Sequence, residues 1–220
     1  NFRSTQDRVH GDHHALWVSP DGKTLIDGND AGVALSPDRG ASWRVIENLP
    51  LAQFYHINVD LATPFNVMGG LQDNGSWHGP SSVWDKGGIR FSNWKNVGTG
   101  DGIAVLAHPT NPRYVYVTRE DGFIVRTDLQ TGERKLIKPA HPDATELRFS
   151  WNTGIVLDPH DGALYIGSQF VHRSTDMGTT WALISPDLTT NDPEKQMQDQ
   201  SGGVTRDDSS AENHTTILTI

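Results

Sequence analysis

The feature that most constrains this chain is an octapeptide that occurs twice. Ser36-Pro37-Asp38-Arg39-Gly40-Ala41-Ser42-Trp43 and Ser174-Thr175-Asp176-Met177-Gly178-Thr179-Thr180-Trp181 both read Ser-x-Asp-x-Gly-x-(Ser/Thr)-Trp. Such a match is not expected twice by chance in 220 residues. The copies lie 138 residues apart, which is three steps of 46. A fixed period of that size marks a chain built from repeated supersecondary units. Degenerate copies are then expected at about one-third and two-thirds of the gap. Asn74-Gly75-Ser76-Trp77 keeps Gly-Ser-Trp, and the stretch from Arg126 to Gly132 keeps Thr127 and Asp128 but displaces the Gly and lacks the Trp.

A period near 45 residues suits four short strands per unit, the blade of a β-propeller. Alternation and turn residues place the strands. The first blade holds Ala15–Ser19, Thr24–Asp27, Gly32–Ser36 and Ser42–Ile46. The second holds Tyr55–Val59, Asn66–Gly70, Ser76–His78 and, after a Gly-rich excursion, Trp94–Val97. The third holds Ile103–Ala107, Tyr114–Thr118, Phe123–Thr127 and Arg134–Lys138; the fourth, Gly154–Leu157, Ala163–Gly167, Val171–Ser174 and Thr180–Ile184. Pro-marked turns after the leading strand repeat at Ser19–Gly22, His108–Asn111 and Asp158–Asp161, and more loosely at Asp60–Pro64.

The expectation is an all-β chain: a propeller segment of four antiparallel blades over 13–46, 54–97, 103–138 and 152–184. A linking loop over 185–214 follows, with room for a turn or two of helix at Asp192–Gln200, and 215–220 reads as the first strand of a further blade. A last strand without partners would leave an open edge, so the segment is expected to continue in a longer propeller or to be completed by other chains.

Composition narrows the partners. With 35% hydrophobic residues, 22 Gly and 12 Pro, the chain suits short strands and many turns. Its net charge of −9 would repel a phosphate backbone, so nucleic acid is disfavoured. It has no Cys, which excludes disulfides, thiolate metal ligation and thiol catalysis in this stretch. No apolar run reaches the roughly 20 residues of a membrane span. The chain begins at Asn1 without a signal pattern, from which processing or truncation is expected.

The octapeptide is read as structural. Asp38 and Asp176 are placed to accept backbone N–H groups from the turn that follows, Ser36 and Ser174 to support them, and Gly40 and Gly178 to supply positive φ. Trp43 and Trp181 start the outer strand and bury a ring between blades. The octapeptide joins strands three and four, so a site belongs at the other end, where the loops entering the first strand meet those joining strands two and three. That rim gathers His13, His14, Asn29, Asp30, Tyr55, His56, Gln72, Asp73, Asn74, Asp101, Arg119, Arg148, Trp151 and Asn152, with Glu120, Asp121, Gln169, Glu212 and Asn213 beside them.

Asp30, Asp73 and Asp101 are the candidate catalytic carboxylates, since glycoside hydrolysis needs two such groups roughly 5–10 Å apart. His13 and His14 enter a strand side by side and point to opposite faces, so no metal centre is expected there. No cofactor is expected either. Trp77, Trp84 and Trp94 either stack on sugar rings or fill blade interfaces.

The chain resembles bacterial Asp-box (BNR) repeat proteins of the sortilin-type or glycosyl-hydrolase-like propeller class. The resemblance is carried by the two octapeptides together with Gly11–Trp17, Gly28–Val33, Gln53–His56, Gly69–Trp77, Phe149–Thr153 and Ser185–Asn191. It implies a large exported protein, located outside the cell, in the periplasm or at the cell surface, whose propeller continues beyond this segment. Sortilin-type propellers bind peptides, and the related oligoxyloglucan hydrolases cut polysaccharides with paired aspartates. The arginine triad of sialidases is not matched, because only Arg119 and Arg148 fall on the rim. The expected role is therefore recognition of peptide, glycan or a partner subunit through the first-strand face, with a glycoside hydrolase of the Asp-box type as the alternative.

Overall fold

The computed structural model describes residues 9–46, 48, 49, 51–196 and 213–220. It is all-β: four sheets, each a four-stranded antiparallel meander in chain order, which are the blades of a propeller segment. Blade one comprises β1 (His13–Val18), β2 (Leu25–Asn29), β3 (Gly32–Ser36) and β4 (Arg44–Val45). Blade two comprises β5 (Phe54–Val59), β6 (Asn66–Leu71), β7 (Gly75–Pro80) and β8 (Lys95–Gly98). Blade three comprises β9 (Gly102–Ala107), β10 (Tyr114–Arg119), β11 (Phe123–Asp128) and β12 (Arg134–Leu136). Blade four comprises β13 (Ile155–Leu157), β14 (Leu164–Gly167), β15 (Val171–Ser174) and β16 (Ala182–Leu183). The chain partitions into two compact units: residues 1–53 hold blade one, and residues 54–220 hold the other three.

Blade three shows why alternation matters. On β10, Val115 and Val117 turn toward Met68, Val97, Val105 and Val125, in a core shared with blade two. Tyr116, between them, turns the other way and packs with Ile124, Ile137, Phe149, Leu164 and Ile166 against blade four. A period of two thus feeds two cores at once, and each buried aliphatic side chain contributes about 1.5–3 kcal/mol. Trp181 extends the second core and donates its indole N–H to the carbonyl of Ile137, just after β12, at 2.8 Å.

Blades two and three approach more closely than side chains would allow. A Cβ on Gly70 would lie 2.1 Å from the Gly102 carbonyl oxygen, and one on Gly102 would lie 2.3 Å from the Gly75 carbonyl oxygen. A Cβ on Gly98 would meet Val117 at 2.5 Å. The absence of a side chain, at ordinary backbone angles, is what these three glycines supply.

The two octapeptide turns are superimposable in their bonding. Asp38 Oδ1 accepts the Ser42 N–H at 2.7 Å and Oδ2 the Ser42 hydroxyl at 2.6 Å; Asp176 does the same with Thr180 at 2.8 and 2.6 Å. Ser36 and Ser174 accept the Gly40 and Gly178 N–H groups. Both Arg39-Gly40 and Met177-Gly178 are left-handed, so the turn uses two consecutive positive φ angles. Blade three has an equivalent turn, where Asp128 caps Gln130 and Thr131 and pairs with Arg113.

One expected copy is corrected. Gly75-Ser76-Trp77 lies in β7 at the turn after strand two, at the opposite end of the blade from an octapeptide. The positional equivalent in blade two is Asp85, whose carboxylate accepts the Gly87 N–H at 2.7 Å. The reason is the long β7–β8 connection, which moves the capping Asp away from the residue types that mark it elsewhere. The segment 215–220, expected as the first strand of a further blade, is unpaired as a strand here and donates the Ile217 N–H to the Ser168 carbonyl just after β14. At Asp192–Gln200 a 3-10 turn spans Pro193–Gln196, and the remainder lies outside the described residues. Among the described residues, no helix is long and apolar enough to cross a membrane.

Two outcomes follow. Gly102→Ala or Gly70→Ala forces backbone against backbone and is expected to cost about 1–3 kcal/mol or more in urea denaturation, whereas Gly132→Ala, which meets nothing within 4 Å, costs only its φ strain. His172 is fully buried beside the Ser168 hydroxyl, and loss of hydration, with repulsion from His141, drops its pKa to about 4. The unfolded chain therefore binds a proton that the folded chain refuses between about pH 6.5 and 4, so stability falls as pH falls through that window, by about 3 kcal/mol. His172→Gln should flatten this limb of the stability–pH curve, leaving smaller slopes from His78 and His108, which burial also depresses.

Candidate functional site

In residues 54–220 the leading-strand ends of three blades converge on Asp101. This residue precedes β9, between Gly100, at φ +77°, and Gly102 of the close contact. Its Oδ1 accepts the Asp73 N–H at 2.6 Å from the β6–β7 turn of blade two. Its Oδ2 accepts the Trp151 indole N–H at 2.9 Å from the approach to blade four, and the Tyr55 hydroxyl at 3.3 Å from β5. The Asp101 N–H in turn donates to Glu120 at 3.2 Å, and the other Glu120 oxygen pairs with Arg119 at 2.8 Å. The Gly75 N–H to Gly100 carbonyl bond, 2.9 Å, locks the two turns together. Burial, and then the Asp101 charge, push the Tyr55 phenol above its ordinary pKa of 10.0.

Beside this hub, His56 Nε2 lies 3.1 Å from Asn152 Oδ1, a second link from blade two to blade four with both side chains exposed. The result is a rim in which Tyr55 and Trp151 are held by the Asp101 carboxylate and His56 and Asn152 by each other. Gln72, Asp73 and Asn74 form the adjoining turn, in which Asp73 is left-handed and Asn74 bonds the Gln72 carbonyl.

Backbone bulges aim these side chains. On β5 the pairing slips between Phe54 and His56, so Tyr55 is the extra residue; on β1 it slips between His13 and Ala15, making His14 the extra one. On β9, Ile103 and Ala104 together oppose Thr118, whose hydroxyl takes the Ala104 N–H at 3.0 Å in place of the lost ladder bond. Bulges of this kind redirect side chains at sheet rims.

Other expected rim residues are engaged elsewhere. Arg148 clamps the segment after blade four, bonding Asp187 at 3.1 Å, the Thr189 hydroxyl and the Thr215 carbonyl. Gln169 is buried and ties the Arg148 N–H to the Glu146 carbonyl. Asn213 donates to the Phe149 carbonyl, and Glu212 lies outside the described residues. Asp121 is left-handed and gives its carbonyl to Lys138.

In residues 1–53, His13 Nδ1 sits 2.9 Å from both oxygens of buried Asp27, which also accepts Asn29 Nδ2, while His14 Nε2 bonds Asp30. Asp27 has no place in the expected site; an acidic residue flanked by Ile26 and Gly28 within a strand was its only mark in the sequence. The three tryptophans of blade two divide. Trp77 packs against Phe91 in a tilted pair and donates to the Asn74 carbonyl, Trp94 covers Gly79, and Trp84 stands fully exposed.

In a comparison with solved structures, the chain is similar to a GH74 enzyme from Niastella koreensis (14% identity, TM-score 0.45, covering 88% of this chain and 32% of that one). It is also similar to the GH74 xyloglucanase from Xanthomonas campestris (20% identity, TM-score 0.41, 81% and 30%) and to an auxiliary nutrient binding protein from Bacteroides ovatus (16% identity, TM-score 0.42, 80% and 42%). The chain spans less than half the length of each. No family model matches the sequence, and no curated protein matches it. At these identities the likeness is one of fold alone.

Asp101→Asn should bring the Tyr55 titration down toward its ordinary value, because the carboxylate that disfavours phenolate is gone. Carbon-13 NMR of labelled tyrosines would read this. The same change weakens the charge-assisted bonds from Trp151 and Asp73, at a cost of about 1–3 kcal/mol.

Proposed function

We propose that the Asp101 rim is a recognition surface for peptide or glycan, within an exported propeller that continues beyond this segment. One observation carries the reading: both oxygens of Asp101 are occupied by the Asp73 N–H, the Trp151 indole and the Tyr55 hydroxyl. A carboxylate so satisfied organises its neighbours and is poorly placed to trade protons with a substrate. What gathers around it is a set of aromatic and amide groups, Tyr55, His56, Trp151 and Asn152, suited to the neutral polar surfaces of sugars and peptide backbones. A mature interface would concentrate its affinity in a few such rigid aromatics.

The alternative is a glycoside hydrolase. It is favoured by the juxtaposition of Asp73 and Asp101 on neighbouring blades, linked by the bond from the Asp73 backbone N–H to the Asp101 carboxylate. A catalytic pair would need one carboxyl group open to the glycosidic oxygen.

Immobilised glycan and peptide arrays, probed with the full-length protein, decide between the two. Recognition predicts retention that Trp151→Ala or Asn152→Ala weakens about tenfold or more, about 1.4 kcal/mol, without change in the ligand. Release of reducing ends from a polysaccharide, abolished by Asp73→Ala or Asp101→Ala in protein that remains folded, would overturn it in favour of hydrolysis.

A further inference from the structure

A separate cavity of about 240 Å³ opens between the outer strand of blade two and the sheet of blade three. Val117, Phe123, Val125 and Leu136 wall it, Arg119 and Arg134 contribute guanidinium groups, and none of Tyr55, Asp73, Asp101 or Trp151 lines it. Arg119 lies over the Phe123 ring at 4.6 Å and is held through Nη2 by Glu120. Its Nε is buried without a hydrogen-bond partner. A buried donor left unpaired is costly, so an acceptor delivered to it is bound with more than ordinary strength. Arg134 is anchored through Nη2 alone, to the carbonyl and side-chain oxygens of Asn96.

We propose that this cavity binds a small monocarboxylate with an apolar tail. The carboxylate complements the guanidinium charges of Arg119 and Arg134, and the hydrocarbon matches the aliphatic and aromatic walls. The volume lies below the roughly 300–1,000 Å³ of sites for drug-sized ligands, which limits the tail to a few carbons or one ring. A multiply charged anion such as phosphate fits poorly: Glu120 already neutralises part of Arg119, the walls of Val117, Phe123, Val125 and Leu136 are apolar, and the chain carries a net charge of −9. The cavity does not depend on the recognition role proposed for the rim, although Glu120 joins the two, pairing with Arg119 and accepting the Asp101 N–H.

The experiment is an NMR titration of the full nitrogen-15-labelled chain with hexanoate, hexan-1-ol and inorganic phosphate. Hexanoate should give saturable shifts at Phe123, Val125 and Leu136, with hexan-1-ol and phosphate each at least tenfold weaker. Arg119→Gln should weaken hexanoate at least tenfold. Leu136→Asp, a change at a half-exposed position that leaves Arg119 and its partners intact, should do so too by placing a negative charge at the mouth. Trp151→Ala should leave hexanoate binding unchanged, which separates this site from the rim. Absence of saturable shifts, equal binding of hexan-1-ol, or equal binding of phosphate would overturn the proposal.

Discussion

The contact on which the rim depends is the meeting of blades two and three at backbone distance. Gly70 and Gly102 let the carbonyls of Gly102 and Gly75 come where a Cβ would otherwise stand, and Gly98 makes room for Val117. Dispersion contacts at that distance are dense, and Val117, admitted by Gly98, belongs to the valine core behind the seam. The cost is visible too: Ser76 Oγ is buried there without a partner. Because the seam fixes the β6–β7 turn against the approach to β9, the Asp73 N–H reaches the Asp101 carboxylate at 2.6 Å. Had either blade carried alanines, the turns would stand apart and the carboxylate would face water.

The two ends of the blades use their polar residues differently. At the octapeptide end, carboxylates serve their own turns: Asp38 and Asp176 reach four residues ahead, Asp60 six, and Asp21 and Asp158 two. Hydrogen bonding holds Asp176 down to about 2, so these caps persist through the whole physiological range. At the leading-strand end, the bonds cross blades. Tyr55 meets a residue 46 positions away, Trp151 one 50 away, and His56 one 96 away. Groups satisfied within a turn have little left for a ligand, whereas groups arrayed across blades present a wide surface set by the packing beneath. The binding role proposed for that end rests on this division of labour.

Much of the strand pattern was legible in the sequence because it rests on neighbours. The sixteen strands fall within a few residues of the alternating stretches, and the octapeptide turns need only residues within four positions of one another. Asp85 escaped notice because its turn lacks the Ser and Trp of its counterparts, and Gly-Ser-Trp at 75–77 misled because three common residues recur without their Asp. Arg148 and Gln169 read as rim groups from their loop positions, yet both are consumed in tying blade four to the segment after it.

The sequence by itself therefore determined the repeat, the four-stranded unit, the turns and the end at which polar residues gather, since each depends on chemistry within a few residues along the chain. Only the tertiary structure decided that Asp101 is the hub, that bulges at Tyr55 and His14 aim the leading-strand side chains, and that Arg119 borders a cavity. Those outcomes depend on how closely two blades approach and on which residue arrives from a distant stretch of chain. Alternation and turn residues carry no record of either.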